Sequence, residues 1–213
     1  MNIIKQLVLV SLLSLLLLLF AGCSSPAKDS TEPSPAKPVP VSSVISTEGA
    51  IKIQIDVTGY GLIGAELYPK VAPKTVANFT KLISEGFYNG LTFHRIINGF
   101  MIQGGDPLGN GHGNSSATIP GEFSNNGFPN SLSHTRGVLS MARGETDMNS
   151  ASSQFFIVQQ DSTFLDGDYA SFGIITSGMA IVDSISANIP VEDDNGTVLP
   201  SNQPIIKSIV IIK

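Results

Sequence analysis

The sequence lacks the residues on which several common kinds of protein chemistry depend. It contains no tryptophan and only one cysteine among its 213 residues, so no internal disulfide can form. Its three histidines, His94, His112 and His134, are far apart and lack the spacing of metal ligands, which argues against a zinc site. The sequence motifs of serine hydrolases, zinc proteases and P-loop proteins are also missing. These absences argue against a zinc site, a P-loop nucleotide site and the nucleophile motif of serine hydrolases.

Two segments resemble ligand-binding loops only superficially. Residues 109–113 are rich in glycine, but polar loop residues follow them where a phosphate-binding loop would lead into a helix. Residues 193–196 are acidic but lack the twelve-residue pattern of a calcium-binding loop. We therefore predict a plain loop in the first segment and a turn in the second.

The first 22 residues have the layout of a secretory signal peptide. Lys5 is the only charged residue in this segment, and two serines alone interrupt the apolar run from Leu7 to Phe20. A transmembrane helix needs about 20 apolar residues, and this run is shorter. The pattern therefore favours a cleaved signal peptide over a permanent membrane span.

The only cysteine directly follows this segment. Phe20-Ala21-Gly22-Cys23 resembles the lipobox of bacterial lipoproteins, with Phe20 where leucine is commoner. The resemblance implies that Cys23 is acylated, as by palmitate, and anchors the mature chain outside the cytoplasm on a bacterial membrane. Several acyl chains on one residue give durable anchoring, whereas one chain is marginal. The alternative is an unmodified thiol.

Residues 23–47 are predicted to be a tether, because a segment so rich in Pro, Ser and Ala cannot bury enough apolar surface to fold. A proline-rich ligand for a partner is the alternative.

Residues 48–213 are long enough for one compact domain, and they contain nine Lys and Arg against fifteen Asp and Glu. An acidic domain lacks the basic surface expected of a nucleic-acid-binding protein.

Hydrophobic periodicity predicts mostly strands in this domain. Residues 51–57 alternate strictly, and residues 62–68 form a second strand-like run after a turn, so the two are predicted to pair as a hairpin. Residues 73–85 place apolar side chains on one helical face, and Met179, Val182 and Ile185 mark a second helix. Further strand-like runs are 92–96, 100–103, 137–141, 154–158, 170–175 and 205–212. This pattern predicts an all-β barrel or sandwich with two helices.

Three of these runs, 92–96, 100–103 and 154–158, carry polar residues that a core strand does not need. Arg95 lies among large apolar residues, and simple alternation places it on the same face as Phe93. Alternation likewise places Met101 and Gln103 on one face of the next run. In the third run, the amide of Gln154 precedes two aromatic residues on opposite faces. Together these features indicate a functional face.

The blocks that carry these residues resemble the cyclophilin family across nearly the whole domain. The resembling blocks are residues 93–97, 99–106, 137–142, 149–156, 165–167 and 172–173. The resemblance implies a closed eight-stranded antiparallel β-barrel capped by two α-helices. It also implies peptidyl-prolyl cis-trans isomerase (rotamase) activity without a metal or other cofactor, in support of protein folding.

The resemblance also assigns an active-site face. Arg95 matches the catalytic arginine, Gln103 matches the amide that binds the substrate backbone, and Gln154 matches a polar residue beside the site. Ala142 and Arg143 match positions that contact the residues preceding proline. The walls of the proline pocket and its rim match Phe100, Met101, Phe156, Phe164, Leu165 and Tyr169.

This sequence departs from the family pattern at three of these positions. Arg143 replaces the usual asparagine, Phe164 replaces a tryptophan common in eukaryotic members, and Tyr169 replaces a histidine. The change at Phe164 implies weaker binding of cyclosporin. We expect a monomer that acts on proline-containing segments of unfolded exported proteins. A module that binds such segments without turnover, or a structural surface lipoprotein, is the alternative.

Overall fold

The computed structural model describes residues 46–212. The predicted signal peptide, Cys23 and all of the tether except its last two residues lie outside the described residues. Within residues 46–212, the chain forms eight strands and two α-helices. The strands are β1 Ile51–Val57, β2 Gly61–Leu67, β3 Thr92–Ile97, β4 Met101–Asp106, β5 Val138–Met141, β6 Phe155–Val158, β7 Ser171–Ser177 and β8 Ile206–Ile212; the helices are α1 Pro73–Ser84 and α2 Met179–Asn188.

The eight strands form one antiparallel sheet in the order β3-β4-β6-β5-β7-β2-β1-β8. The sheet curls until its edges meet, since Thr92 of β3 pairs with Ile205 just before β8 and Phe93 donates its N–H to the carbonyl of Pro204 at 2.9 Å. The predicted eight-stranded barrel with two helices is therefore confirmed, as is the hairpin of β1 and β2. None of the helices in the described part of the chain is long and apolar enough to cross a membrane.

The interior of the barrel holds the main core. In β1, Ile53, Ile55 and Val57 are fully buried, as their alternation predicts. Phe79 of α1 packs inward, with its ring centroid 5.2 Å from that of Phe155. Each fully buried side chain of this size contributes about 1.5–3 kcal/mol of hydrophobic stabilisation. The barrel is thus a filled core, and the functional side chains must lie on its outer face.

Helix α1 is capped by a residue distant in sequence. Pro73 suits the first turn because it has no N–H to satisfy. No side chain of the local segment caps the helix. Instead, the buried carboxylate of Glu122 accepts the backbone N–H groups of Lys74 and Thr75 at 3.0 and 2.8 Å. The helix ends at Ser84, one residue before the predicted boundary.

Strand β3 differs from the prediction in one important respect. Its register with β4 shifts between Phe93 and Arg95, so that His94 is an extra residue in a β-bulge. Phe93 packs in the main core, whereas Arg95 lies on the opposite face. The predicted placement of Phe93 and Arg95 on one face is therefore wrong, because a bulge reverses the alternation at the point where it occurs.

Candidate active site

A cleft of about 650 Å³ lies on the outer face of the sheet. Strands β3, β4 and β6 supply its floor, and three loops and the turn Thr163–Leu165 supply its rim. All the predicted site residues of the domain line this cleft except Gln154, namely Arg95, Phe100, Met101, Gln103, Ala142, Arg143, Phe156, Phe164, Leu165 and Tyr169. Segments as distant in sequence as those of His94 and Thr197 are thus brought to one surface by the curl of the sheet.

The apolar part of the cleft is a slot lined by side chains of a second, smaller core cluster. Met101, Phe156 and Leu165 are buried beneath it, and Phe100 packs against them. Phe156 and Tyr169 meet edge to face, with ring centroids 6.0 Å apart. This slot can accept a small, flat apolar group such as a five-membered ring, because its walls are fixed by the core behind them.

The rim of the slot carries one strongly exposed aromatic ring. Phe164 is 72% exposed, and its centroid lies 5.5 Å from that of Phe100. It belongs to the turn Thr163–Leu165, in which Leu165 points inward. Phe164 therefore extends the apolar surface outward, where a bound chain would cross it.

The guanidinium of Arg95 is held at the edge of the slot. Its Nε donates to the backbone carbonyl of Asn195 at 2.8 Å, and its Nη1 donates to Oε1 of Gln103 at 3.3 Å. Nη1 also lies 3.8 Å from the sulfur of Met101. Burial lowers the pKa of Arg95, and the nearby Tyr169 and Asp193 oppose this effect. The side chain remains a cation. Its hydrogen bonds to Asn195 and Gln103 fix the orientation of the guanidinium beside the apolar walls of the slot.

A chain of amides supports Gln103 from behind. Its Nε2 donates to Oε1 of Gln154 at 2.9 Å. The Nε2 of Gln154 in turn donates to the carbonyls of Gly111 and Gly113 at 3.0 and 2.8 Å. Gln154 is buried and borders a smaller adjoining cavity of about 270 Å³ rather than the cleft. Its predicted role beside the site becomes, in this geometry, the support of Gln103 and of the loop.

Arg143 joins two parts of the rim. Its Nε donates to the carbonyl of Asp168, and its Nη1 donates to the carbonyls of Gly144 and Glu145, at 2.9, 2.8 and 3.1 Å respectively. The guanidinium also lies over the ring of Tyr169, 4.9 Å from its centroid. Three donated hydrogen bonds and a stacked aromatic ring together require a planar guanidinium, so a lysine could not replace Arg143 here.

Several other residues line the cleft that sequence reasoning missed. They are His94, Gly109, Asn110, Gly111, His112, Glu145, Asn195 and Thr197. Five of them are the bulge residue His94 and four residues of the loop predicted to be plain. The carboxylate of Asp106 organises that loop by accepting the N–H groups of Leu108 and Gly111 at 2.7 and 2.6 Å. In the sequence, an aspartate followed within a few positions by Gly-Asn-Gly was the available signal.

The acidic turn at residues 193–196 is a turn, as predicted, but it also serves the site. Asp193 accepts the N–H and the hydroxyl of Thr197, each at 2.9 Å, and so presents the carbonyl of Asn195 to Arg95. In the other loop of the rim, burial alone would raise the pKa of Asp106. The backbone N–H groups that Asp106 accepts outweigh this effect, so that its pKa is lowered. Across residues 46–212, no group of His, Cys, Asp and Glu side chains is placed to hold a metal ion.

The sequence matches the family profile described as cyclophilin type peptidyl-prolyl cis-trans isomerase/CLD over residues 51–212. It is 47% identical over 135 residues to peptidyl-prolyl cis-trans isomerase B of Bacillus subtilis (strain 168), covering 61% of this chain and 90% of that protein. It is 44% identical over 137 residues to a peptidyl-prolyl cis-trans isomerase of Helicobacter pylori, covering 63% of this chain and 80% of the relative.

The fold is similar to a crystal structure of a cyclophilin type peptidyl-prolyl cis-trans isomerase of Cryptosporidium parvum. The two superpose with a TM-score of 0.67 at 34% sequence identity, over 76% of this chain and 99% of that one. That structure was determined in the presence of the dipeptide Ala-Pro.

Proposed function

The chain belongs to the cyclophilin-type peptidyl-prolyl cis-trans isomerase family and is an isomerase of X–Pro peptide bonds, and we propose that its substrates are exported proteins whose folding is limited by proline. The order of segments supports this proposal. A secretory-type apolar run leads to Cys23, and a Pro-rich spacer separates Cys23 from the isomerase domain. Such a chain would act at the outer face of a bacterial membrane, where exported proteins emerge unfolded.

The chemical task is to lower a rotational barrier. X–Pro bonds prefer trans by only about 0.5–1 kcal/mol, so both isomers occur in unfolded chains. Amide resonance makes the barrier ~18–20 kcal/mol, and uncatalysed exchange takes roughly 10–100 s. An enzyme needs no covalent bond for this reaction. It must bind the twisted amide more tightly than either planar isomer.

The proposed roles follow from what twisting does to the amide. As the C–N bond rotates, the prolyl nitrogen becomes pyramidal and gains a lone pair. The apolar slot formed by Phe100, Met101 and Phe156 would hold the proline ring still, and Gln103 would hold the adjoining backbone. Arg95 would then donate a hydrogen bond to the lone pair that exists only in the transition state.

The observation that carries this proposal is the fixed guanidinium of Arg95 beside the apolar slot. Its hydrogen bonds to Asn195 and Gln103 hold it before substrate arrives, so little reorganisation is needed during rotation. A guanidinium suits the role because it stays charged and its donors are rigid.

An isomerisation assay with a proline tetrapeptide tests the role of Arg95. We expect Arg95→Ala in the full, detergent-solubilised chain to lower kcat/KM by about 10²–10³-fold, the usual effect of removing one pre-positioned donor. Its circular dichroism spectrum should remain that of the wild type, because the side chain is only half-buried. Turnover close to wild type would refute the assigned role, and peptide binding by a wild-type chain that does not accelerate exchange would identify a binding module instead.

The anchor and the substrate class need separate tests. Cells expressing the wild-type chain should incorporate labelled palmitate into it and retain it in the membrane fraction, whereas Cys23→Ala should lose the label. An exported protein with a slow proline-limited refolding phase should refold faster with the wild-type chain than with Arg95→Ala. Equal refolding rates with both would contradict the proposed substrate class.

A further inference from the structure

A chain of hydrogen bonds runs from the surface residue Asp166 to two buried residues beneath the proline slot. The side chain of His134 is almost wholly buried, and its Nδ1 lies 2.8 Å from Oδ1 of Asp166. Its Nε2 lies 2.9 Å from the hydroxyl of Ser140, which is completely buried on β5. The isomerase reaction described above uses none of these three groups, so their arrangement needs another explanation.

These three residue types also form the nucleophilic site of serine hydrolases, but this chain cannot act as one. Ser140 is inaccessible to solvent and does not line any of the cavities around the cleft. A substrate carbonyl could not approach its hydroxyl, and nucleophilic attack requires such an approach. The three residues therefore act on the protein itself.

The hydrogen bonds specify one tautomer of His134. Asp166 is ionised and can only accept, and it already accepts the backbone N–H of His134 at 2.8 Å. Nδ1 of His134 must therefore carry the proton that faces Asp166, and Nε2 must accept from the hydroxyl of Ser140. Burial keeps the pKa of His134 below its ordinary value despite Asp166, so the ring is neutral at physiological pH.

The imidazole held in this way contacts a wall of the slot. Its ring stacks on that of Phe156, with centroids 6.1 Å apart and planes 18° from parallel. Ser140 lies directly opposite Phe156 in the pairing of β5 and β6. The phenyl ring is thus supported by the stacked imidazole, and the orientation of that imidazole is fixed at both ends.

The second wall depends on the same residue. Asp166 directly follows Leu165 and accepts from the hydroxyl of Ser133, and the carbonyl of His134 accepts the N–H of Ser162 at 2.8 Å. The turn that carries Phe164 and Leu165 is therefore fastened at both ends to the segment that contains His134.

We infer that His134 is a positioning residue for the proline pocket: held between Asp166 and Ser140, it sets the relative position of the Phe156 and Leu165 walls. This inference rests on the proposed function, because it concerns how that site grips the proline ring. It accounts for the full hydrogen bonding of the buried pair His134 and Ser140, since a partly satisfied buried polar group would be destabilising.

The test uses the full chain and two small substitutions. Ser140→Ala removes the hydroxyl that Nε2 of His134 accepts from, and Asp166→Asn removes the carboxylate that fixes the tautomer while keeping the size of the side chain. We expect each to raise KM for a proline tetrapeptide by about five- to tenfold with little change in kcat, because the grip on the ring weakens equally in the ground and transition states. The double variant should be no worse than the more affected single variant, since the three groups act as a unit.

A control variant separates positioning from general damage. Ser186→Ala also deletes a buried hydroxyl, but it lies on α2 and has no hydrogen-bond partner within residues 46–212. It should leave KM unchanged. All measurements are made well below the unfolding temperature of every variant, where a merely structural role would leave KM unaltered. If Asp166→Asn does not fold, Ser140→Ala decides the matter alone.

Two results would overturn the inference. One is a KM within about twofold of wild type for both folded variants, which is too small for a lost positioning contact. The other is a fully additive double variant, which would show that Ser140 and Asp166 act independently. A wild-type chain that does not isomerise the peptide would overturn the proposed function and this inference together, whereas normal variants of an active wild type would overturn the inference alone.

Discussion

Replacing Gln154 by leucine should impair substrate binding, although Gln154 does not line the cleft. Its amide accepts from Gln103 at 2.9 Å and donates to the carbonyls of Gly111 and Gly113 at 3.0 and 2.8 Å. Leucine has a similar volume but can make none of these hydrogen bonds. The Gln103 amide would then be free to rotate, and the loop at residues 109–113 would lose its hydrogen bonds to the residue that precedes β6.

The expected magnitudes follow from the number of bonds and their burial. Each hydrogen bond contributes about 0.5–1.5 kcal/mol net, so the loss of three should lower the free energy of unfolding by about 2–4 kcal/mol. A weakened hold on the substrate backbone worth about 1.4 kcal/mol should raise KM about tenfold. Because Arg95 stays in place, kcat should change much less than KM.

Gln154→Glu provides the matched comparison. The glutamate keeps an oxygen that accepts from Gln103, but it turns a second oxygen toward the carbonyls of Gly111 and Gly113. It should therefore lose stability in urea denaturation while its KM stays closer to wild type than that of Gln154→Leu. A wild-type KM for folded Gln154→Leu would refute the idea that a buried amide orients Gln103.

Three further predictions concern the cap, the rim and pH. Glu122→Gln should lower the free energy of unfolding by about 1–3 kcal/mol, because the charged cap of two backbone N–H groups is lost, whereas Glu48→Gln should not, because Glu48 is exposed. Arg143→Lys should raise KM at least about threefold in the tetrapeptide assay, since a single ammonium cannot replace three donated bonds and a stacked plane. Burial lowers the pKa values of His94 and His134, so the unfolded chain takes up protons that the folded chain resists. Stability in urea should therefore be highest above about pH 6.5 and decrease steadily as the pH falls below that value; equal stability at pH 8 and pH 5 would contradict this.

Local patterns in the sequence were sufficient to predict most strands and both helices of the barrel. The alternation of residues 51–57 and the helical face of residues 73–84 are set by neighbours a few positions away, so a period reveals them. The resembling blocks and the positions beside them gave ten residues of the cleft, because each block forms one short strand or turn. Most strand ends shifted by only one or two residues, as at β2 and β7, but β4 extends three residues beyond its predicted end at Gln103.

What the sequence could not reveal depends on contacts between distant segments. The cap of α1 comes from Glu122, 47 residues beyond the N–H of Thr75 that it accepts. The support of Arg95 by Asn195 joins residues 100 positions apart. The bulge at His94 is a matter of register between two strands, and no property of β3 alone distinguishes it from regular alternation.

The bulge also determines which side chains of β3 face the substrate. Phe93 and Ile96, three positions apart, both pack in the main core, which strict alternation does not allow. If β3 ran regularly through His94, alternation from Phe93 would direct the guanidinium of Arg95 into the apolar interior and turn Ile96 toward the substrate. The reaction would then be lost with every functional residue still present, so the site depends on this backbone irregularity as much as on the arginine.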